Sequence, residues 1–317
     1  MRVGRNPLTN AVLEGREPVV ACVITHMPND WEQYHLHRHK VIALSIRSLM
    51  AHAGIPVHLA IWDNGSHKGF TNWLKDDLKP DTLVLSRNVG KSVARKALFG
   101  MFHPQTIMAV ADDDMYYFPN WLVPQLELLQ HFPNVGTVTG YPVKTSFRWA
   151  NKRVMEWAED NAEIETGEFI KPEWDEDFCT SIGREYHHHK KINGNVPEYK
   201  VTWEGKEALA VGHHCQFVCV NGMIAPLLKW DVGAMADEKP FDKAVDEKHM
   251  RLCTTERYTR HMGNALDDKL MGLARSHNLS VSIGNDDKTS KHPSGIETKA
   301  GGDALAAEAS PLPVSLT

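Results

Sequence analysis

Apolar residues follow two different spacings along the first half of the chain. Runs of consecutive apolar residues, such as Val19 to Ile24, are typical of strands buried on both faces, whereas apolar residues three and four positions apart indicate amphipathic helices. The runs predict strands over residues 19–25, 56–62, 82–85, 106–111, 135–139 and 216–220, and the spaced pattern predicts helices over residues 34–53, 91–101, 121–131 and 243–252. This alternation predicts an α/β fold with a mainly parallel twisted sheet flanked by helices.

The regular pattern stops in three parts of the chain. Residues 144–214 are polar, aromatic and rich in turns, and we interpret them as an insertion or loop system over the sheet. Residues 1–17 are an N-terminal extension without the apolar segment of a secretion signal, and residues 286–317 are rich in Gly, Ala, Ser, Pro and Lys, which predicts a flexible tail. One domain is therefore expected over residues 18–285.

Composition and charge narrow the class of protein. The chain has 317 residues, of which 42% are hydrophobic and 24% charged, so a predominantly disordered protein is excluded. A net charge of -5 provides no overall positive field for nucleic acid or anionic membranes. No apolar run approaches the roughly 20 residues that span a bilayer, and the five cysteines include no Cys-x-x-Cys pair. We expect a soluble cytoplasmic protein, or one of the host cytoplasm if it is viral, with no membrane span.

Three consecutive aspartates, Asp112, Asp113 and Asp114, directly follow the predicted strand over residues 106–111. Open α/β sheets bind their ligands at the carboxyl ends of strands. Two carboxylates one residue apart can share a divalent cation when the backbone turns between them, and such a cation neutralises a departing diphosphate. A solvated acidic turn is the alternative, but the buried strand before the triplet and the aromatic segment after it favour a ligand site.

Two other strand ends carry polar residues. Asp63-Asn64-Gly65-Ser66 places side chains where they can reach a base or ribose, although Asn-Gly is also a common turn. The segment from Asn88 to Arg95 opens a helix with two basic side chains, Lys91 and Arg95, that can face an anionic ligand. A basic helix start without a ligand is the alternative. The segment is not a P-loop, since the earlier glycine is missing.

Together these elements resemble the GT-A glycosyltransferases, in particular the inverting family 2. The resemblance rests on Thr25 at a strand end, the Asp-Asn-Gly-Ser element, the Asn-x-Gly-x-x-x-Ala-Arg element and the Asp-x-Asp element. It covers about residues 18–142 and, more loosely, 213–264. It implies a GT-A fold, with residues 144–214 on the acceptor side. The implied activity is metal-dependent transfer of a sugar from a nucleotide-diphosphate donor to an acceptor hydroxyl, with inversion. We expect the donor to be a UDP-sugar.

The resemblance also implies roles for particular residues. Donor binding falls to Thr25, Asp63, Asn88, Arg95, Asp112 and Asp113, and Mn²⁺ or Mg²⁺ would be held by Asp112, Asp114 and His261. The segment Arg260 to Asn264 resembles a C-terminal histidine element that completes metal coordination in some GT-A enzymes. The family's catalytic base belongs to an acidic pair late in the domain. Asp246 and Glu247 match that pair, and the pattern does not choose between them; a carboxylate at a helix N-terminus for dipole reasons alone is the alternative.

Other readings stay open at this point. The acceptor is a glycan, a protein glycan, a small metabolite or the hydroxymethylated DNA base of a viral modification system. A nucleotidyltransferase would carry a glycine-rich basic loop after the first strand, where this chain has His26-Met27-Pro28-Asn29. A non-catalytic binding or assembly protein on the same scaffold is the second alternative.

Two histidine-rich segments suggest further sites. His213, His214, Cys215 and Cys219 lack the spacing of a zinc site, and a reduced core strand explains the two cysteines. The run from Tyr186 to Lys191 mixes aromatic and basic side chains, as in contacts to an anionic acceptor, but we interpret it as a solvated loop.

Overall fold

The structure is a computed structural model that describes residues 19–149, 151–229 and 238–283. Its strands are β1 (Val19–Thr25), β2 (His58–Asn64), β3 (Thr82–Ser86), β4 (Ile107–Asp112), β5 (Met115–Tyr117), β6 (Val135–Thr139), β7 (Glu163–Gly167), β8 (Glu198–Trp203), β9 (Lys206–Leu209), β10 (Gln216–Val220), β11 (Met250–Cys253) and β12 (Thr259–His261). Its α-helices are α1 (Arg38–Ala51), α2 (Lys68–Trp73), α3 (Lys91–Met101), α4 (Val123–His131), α5 (Lys152–Asn161), α6 (Pro172–Ser181), α7 (Tyr186–Asn193), α8 (Asn221–Ile224), α9 (Lys239–Asp246) and α10 (Asp268–Ser276). The predicted N-terminal extension and C-terminal tail lie outside the described residues.

Ten of the strands form one sheet in the order β3-β2-β1-β4-β10-β6-β11-β9-β8-β7. Strands β3, β2, β1 and β4 are parallel, β10 is antiparallel to both β4 and β6, and β11 is parallel to β6. The predicted α/β fold, a large sheet flanked by helices, is confirmed. Because β10 is antiparallel to both β4 and β6, these two strands run in the same direction, and β11 is parallel to β6. The carboxyl ends of β4, β6 and β11 therefore lie at one edge of the sheet.

Strand β1 shows why a continuous apolar run marks the centre of this sheet. Val19, Ala21 and Val23 pack with α1 on one face. Val20 and Cys22 pack with α3 on the other. A strand covered by helices on both sides has no position at which a polar side chain meets water, so every residue contributes to a core.

Three predictions of secondary structure are wrong. The helix predicted over residues 243–252 ends at Asp246, and Met250–Cys253 forms β11 instead. Residues 144–214 are not a loop system, since they contain three helices and three strands that extend the main sheet. The run from Tyr186 to Lys191 lies in α7, with His189 buried against Asp175 of α6 at 3.2 Å.

A second, two-stranded sheet positions the end of the chain against the aspartate triplet. Strand β12 pairs antiparallel with β5, so that His261 lies opposite Met115. Because β5 begins directly after Asp114, this pairing brings His261 beside the triplet. Within the described part of the chain, no helix is long and apolar enough to cross a bilayer.

Candidate functional site

The carboxyl ends of β1, β2 and β4 bring three of the predicted residues to one edge. Thr25 lies beside Asp63 in the parallel pairing of β1 and β2, and Ile24 lies beside Asp112 in the pairing of β1 and β4. Thr25 Oγ1 donates to Asp63 Oδ1 at 3.1 Å, and Asp63 Oδ2 accepts from the backbone N–H of Ser66 at 3.1 Å. Both side chains are buried. The structure therefore places Thr25 and Asp63 together, held in a fixed orientation.

The turn after β2 is tied to the loop after β3. Asn64 Nδ2 donates to Asn88 Oδ1 at 3.0 Å, and the backbone N–H of Val89 donates to Asn64 Oδ1 at 2.8 Å. Gly65 has a φ of +87°, and a Cβ there would lie 2.7 Å from the backbone nitrogen of Asn88. Glycine is therefore required both for the left-handed conformation and for the close approach. Asn88, an exposed residue, holds this edge of the site in shape.

Four charged side chains form a cluster at the start of α3, which we call the Lys91 quartet: Lys91, Arg95, Asp112 and Glu238. Lys91 Nζ lies 2.6 Å from Asp112 Oδ1 and 2.9 Å from Glu238 Oε1. Arg95 donates to both oxygens of Glu238, at 2.6 and 3.2 Å, and its Nη2 lies 3.9 Å from Asp112 Oδ1. The two cations and two carboxylates balance in charge. Sequence reasoning did not find Glu238.

Mutual attraction keeps Lys91 and Glu238 charged although both are partly buried. Burial by itself lowers the pKa of Lys91, but Asp112 and Glu238 raise it more, so the net pKa lies above the usual value. Burial raises the pKa of Glu238, but Arg95 and Lys91 lower it more, with a net pKa well below the usual value. Lys91 and Arg95 therefore stay positively charged beside the triplet, each paired with a carboxylate.

Arg38, the first residue of α1, holds the other two aspartates. Its Nη2 donates to Asp113 Oδ1, and its Nη1 lies 3.5 Å from Asp114 Oδ2. Burial raises the pKa of Asp113, and Arg38 opposes this only in part. Asp113 thus faces Arg38, whereas from the sequence we expected it to contact the nucleotide-sugar donor. No motif in the sequence pointed to Arg38, because it lies in an ordinary amphipathic helix.

Asp114 and His261 form the part of the site that is suited to a metal ion. His261 Nε2 lies 3.5 Å from Asp114 Oδ2, and its Nδ1 lies 2.8 Å from the hydroxyl of Ser181. Burial raises the pKa of Asp114, but His261 and then Arg38 lower it more, so the carboxyl stays ionised. Asp114 Oδ1 is buried and has no hydrogen-bond partner among the described residues. A buried, unpaired carboxylate oxygen is costly unless a cation accompanies it. Carboxylate with imidazole suits Mn²⁺, whereas Mg²⁺ would depend on the carboxylates.

Residues 35–190 match the family model described as "Glycosyl transferase family 2". Over these residues the chain is similar to the family 2 glycosyltransferases. The match supports a nucleotide-sugar glycosyltransferase and includes Asp63, Asn88, Arg95 and the aspartate triplet. Thr25, Asp246, Glu247 and His261 lie outside the matched residues, so the match does not bear on them.

Two solved structures are similar to this chain over part of its length. One is the mannosyltransferase PcManGT from Pyrobaculum calidifontis in complex with GDP-Man and Mn²⁺, at 18% identity over 39% of this chain and 35% of that chain, with a TM-score of 0.29. The other is TarS of S. aureus, at 14% identity over 40% of this chain and 21% of that chain, with a TM-score of 0.30. The match therefore spans about a third and a fifth of these two chains. No curated protein matches.

The two predicted catalytic carboxylates lie away from the triplet of the family 2 domain. Asp246 accepts from the backbone N–H groups of Lys152 and Arg153, at 3.2 and 3.3 Å, at the start of α5. Glu247 is exposed at the end of α9. Because α9 leads into the start of β11, which runs in the same direction as β4, this end of α9 lies at the sheet edge opposite Asp112. The structure does not bring either carboxylate into the described site, and their catalytic role stays a prediction.

The contacts of Asp246 predict a structural effect. Asp246→Ala removes the acceptor for two backbone N–H groups of α5, and losses of such caps reduce stability by about 0.5–2 kcal/mol. Burial raises the pKa of Asp246, and this penalty on the ionised form offsets part of the stabilisation by the two hydrogen bonds. We therefore expect Asp246→Ala to lower the free energy of unfolding, measured with urea, by about 1 kcal/mol. Glu247→Ala is the matched control and should change the free energy of unfolding by less than about 0.5 kcal/mol. Equal losses in the two variants would contradict the capping role.

His213, His214 and Cys215 come together, with ligand atoms within 4.8 Å of one another. The backbone N–H of Cys215 donates to His213 Nδ1 at 3.2 Å, so the neutral His213 ring carries its proton on Nε2. Burial raises the pKa of the Cys215 thiol well above its usual value. Cys219 lies in the core beside β4.

Proposed function

We propose that this protein transfers a sugar from a nucleotide-diphosphate donor to an acceptor hydroxyl, with inversion at the anomeric carbon. The first donor to test is a UDP-sugar. The observation that carries the proposal is the arrangement of charge at the end of β4. The unpartnered oxygen of Asp114 lies in the same aspartate triplet as Asp112, whose carboxylate faces Lys91 and Arg95. A diphosphate needs a metal ligand set and fixed positive charges together, and this edge supplies both.

Each group of residues has a separate task in this proposal. Thr25 and Asp63 contact the base, and Asn88 keeps the adjoining loop in place. Asp112, Asp114 and His261 would hold Mn²⁺ or Mg²⁺, and a divalent cation supplies positive charge against the leaving diphosphate when it is bound.

The displacement itself is a single in-line step. The acceptor oxygen forms a bond to the anomeric carbon while the bond from that carbon to the diphosphate breaks on the opposite face. The electron pair leaves with the nucleoside diphosphate. Lys91 and Arg95 stabilise this charge because their positions are fixed before the reaction, so little reorganisation is needed. The step also needs a base for the acceptor's proton.

A thermal-shift panel tests the proposal. UDP-glucose, UDP-N-acetylglucosamine, UDP-galactose and GDP-mannose are each added with Mn²⁺, with Mg²⁺ and with EDTA. A donor at 100 times its Kd should stabilise the folded protein by about 2.7 kcal/mol, and each kcal/mol raises the Tm of a domain this large by roughly 2–4 °C. We expect the shift with metal and its loss with EDTA. If no nucleotide sugar raises the Tm under any of the three conditions, the proposal is rejected.

A further inference from the structure

Three side chains form a row that begins beside the Lys91 quartet. His214 Nδ1 lies 2.9 Å from Asp242 Oδ2, and Arg251 Nη2 donates to Asp242 Oδ1 at 2.6 Å. The side chains of His214, Asp242 and Arg251 are 25%, 10% and 2% exposed, so the imidazole is the member of the row that reaches solvent. The row thus runs from a buried cation to an accessible ring.

The row is attached to the candidate site at two points. Cys215, next to His214, accepts a hydrogen bond from the backbone N–H of Asp112 through its carbonyl at 2.8 Å. Asp242 lies about one helical turn after Glu238, and the backbone N–H of Asp242 donates to the carbonyl of Glu238 at 3.0 Å. The segment before β10 carries His214, and α9 carries Asp242. Both therefore place the imidazole next to the Lys91 quartet.

The fold makes room for this row. A Cβ at Gly212 would lie 2.9 Å from Cβ of Arg251 and 2.9 Å from its Nε, closer than side chains tolerate. Glycine at this position lets Arg251 pass to Asp242. A buried guanidinium is costly unless it is paired, so the pairing with Asp242 also fixes the carboxylate that orients His214.

The hydrogen bonds fix which ring nitrogen carries the proton. An ionised carboxylate only accepts, so Nδ1 of His214 donates to Asp242 and Nε2 of the neutral ring is left without a proton. Among the described residues, Nε2 of His214 has no hydrogen-bond partner. An imidazole that is oriented by a carboxylate and whose second nitrogen has no protein partner is suited to accept a proton from a hydroxyl.

We propose that Nε2 of His214 is the base that takes the acceptor's proton, with Asp242 and Arg251 as positioning residues. This inference rests on the proposed function. The acceptor oxygen bonds to the anomeric carbon, the carbon–diphosphate bond breaks and its electron pair leaves with the nucleoside diphosphate, and the hydroxyl proton passes to Nε2. The resulting imidazolium is stabilised by Asp242 and returns the proton to water through its exposed edge.

The alternatives nearby are less suited to this role. Asp242 already uses one oxygen for His214 and the other for Arg251. Asp246 uses both oxygens at the start of α5. Glu238 is bound to both cations of the Lys91 quartet, which hold its pKa well below the usual value against the effect of burial. A strongly paired carboxylate of low pKa is a weak base.

The test uses the full-length protein and water as the acceptor. Cleavage of UDP-glucose, UDP-N-acetylglucosamine and GDP-mannose with Mn²⁺ is followed for the wild type, His214→Gln, His214→Gly and Asp242→Asn. Removing a general base should lower kcat by about 100- to 10,000-fold, while KM and the donor-induced Tm shift stay unchanged. Added imidazole should restore the rate of His214→Gly at least tenfold but leave that of His214→Gln unchanged. Asp242→Asn should lower kcat with an unchanged KM.

His249→Gln is the matched control, because His249 is a partly buried histidine bound to Asn134 and lies beyond the far end of α9. It should cleave the donor at the wild-type rate. Wild-type rates in His214→Gln, or no response of His214→Gly to imidazole, overturn the proposal. If Asp246→Asn loses the cleavage activity and His214→Gln keeps it, Asp246 and not His214 is the base. If the wild type neither binds nor cleaves any of the three donors, the proposed function itself fails, and the base assignment fails with it.

Discussion

Asp114→Asn should reduce metal-dependent cleavage of the nucleotide sugar by more than about 100-fold. Changing groups that only support a metal ligand reduces metal affinity or activity about 10- to 100-fold, and Asp114 is proposed as a ligand itself. The amide keeps the volume of the side chain but removes the charge that faces His261 and Arg38. The measurements are initial rates of cleavage over a titration with Mn²⁺, and the Tm shift by donor with and without metal.

Asp113→Asn is the comparison for this variant. Its carboxylate faces Arg38, so its loss should leave the Mn²⁺ dependence of cleavage in place and reduce the rate less. Both variants leave Arg38 with one fewer carboxylate, so both should unfold at lower urea concentration. Metal dependence that survives in Asp114→Asn but disappears in Asp113→Asn would reverse the assignment of the ligand. A wild-type protein that binds donors but never cleaves them would favour the non-catalytic scaffold.

The central strands and the shared sheet edge of Asp63 and Asp112 were predictable because their signals are local. Strand β1 needs an apolar residue at every position, and the sequence from Val19 to Ile24 provides it. Asp63 is the second-to-last residue of β2 and Asp112 is the last residue of β4. Parallel strands place their carboxyl ends at one edge, so the proximity of the two residues follows from the topology. The roles of these residues were implied by the resemblance to family 2 and not by the pattern.

Arg38 and Glu238 could not be found in the same way. Arg38 reaches Asp113 across 75 positions, and Glu238 reaches Arg95 across 143 positions. A single Arg or Glu at a helix end is usually a solvated side chain. Here the packing of α1 on the sheet buries Arg38, and Glu238, directly before α9, is half-buried. Long-range pairing of charges leaves no spacing in the sequence.

The errors around α9 and α7 have different physical causes. Strand β11 has four residues, and its neighbours β6 and β9 stabilise it, so tertiary pairing overrides the helical spacing before it. Helix α7 buries polar side chains, His189 and Asn193, through hydrogen bonds rather than apolar contacts. A search for apolar periodicity cannot detect a helix face of that kind.

Arg95→Met should weaken donor binding by at least about tenfold and lower stability by about 3 kcal/mol. Breaking a buried ion pair costs about 3–5 kcal/mol when the partner is left unpaired. Here Lys91 still lies 2.9 Å from Glu238, which places the loss at the low end of that range. The loss of donor affinity has another cause: a diphosphate would meet one fixed cation instead of two. Urea unfolding and Tm shifts over a donor titration measure the two effects.

The double variant Arg95→Met with Glu238→Gln separates these two effects. In Arg95→Met, Glu238 keeps one cation, Lys91, instead of two. Removing the charge of Glu238 as well takes away this under-compensated carboxylate, so most of the stability should return. Donor affinity should stay low, because the cation that faces the diphosphate is still missing. Arg47→Met is the matched control, since Arg47 donates to the carbonyls of Ser280 and Ser282, and its donor affinity should equal that of the wild type. If the double variant binds the donor as the wild type does, Arg95 serves only as the partner of Glu238, and the positive charge for the diphosphate must come from Lys91 and the metal alone.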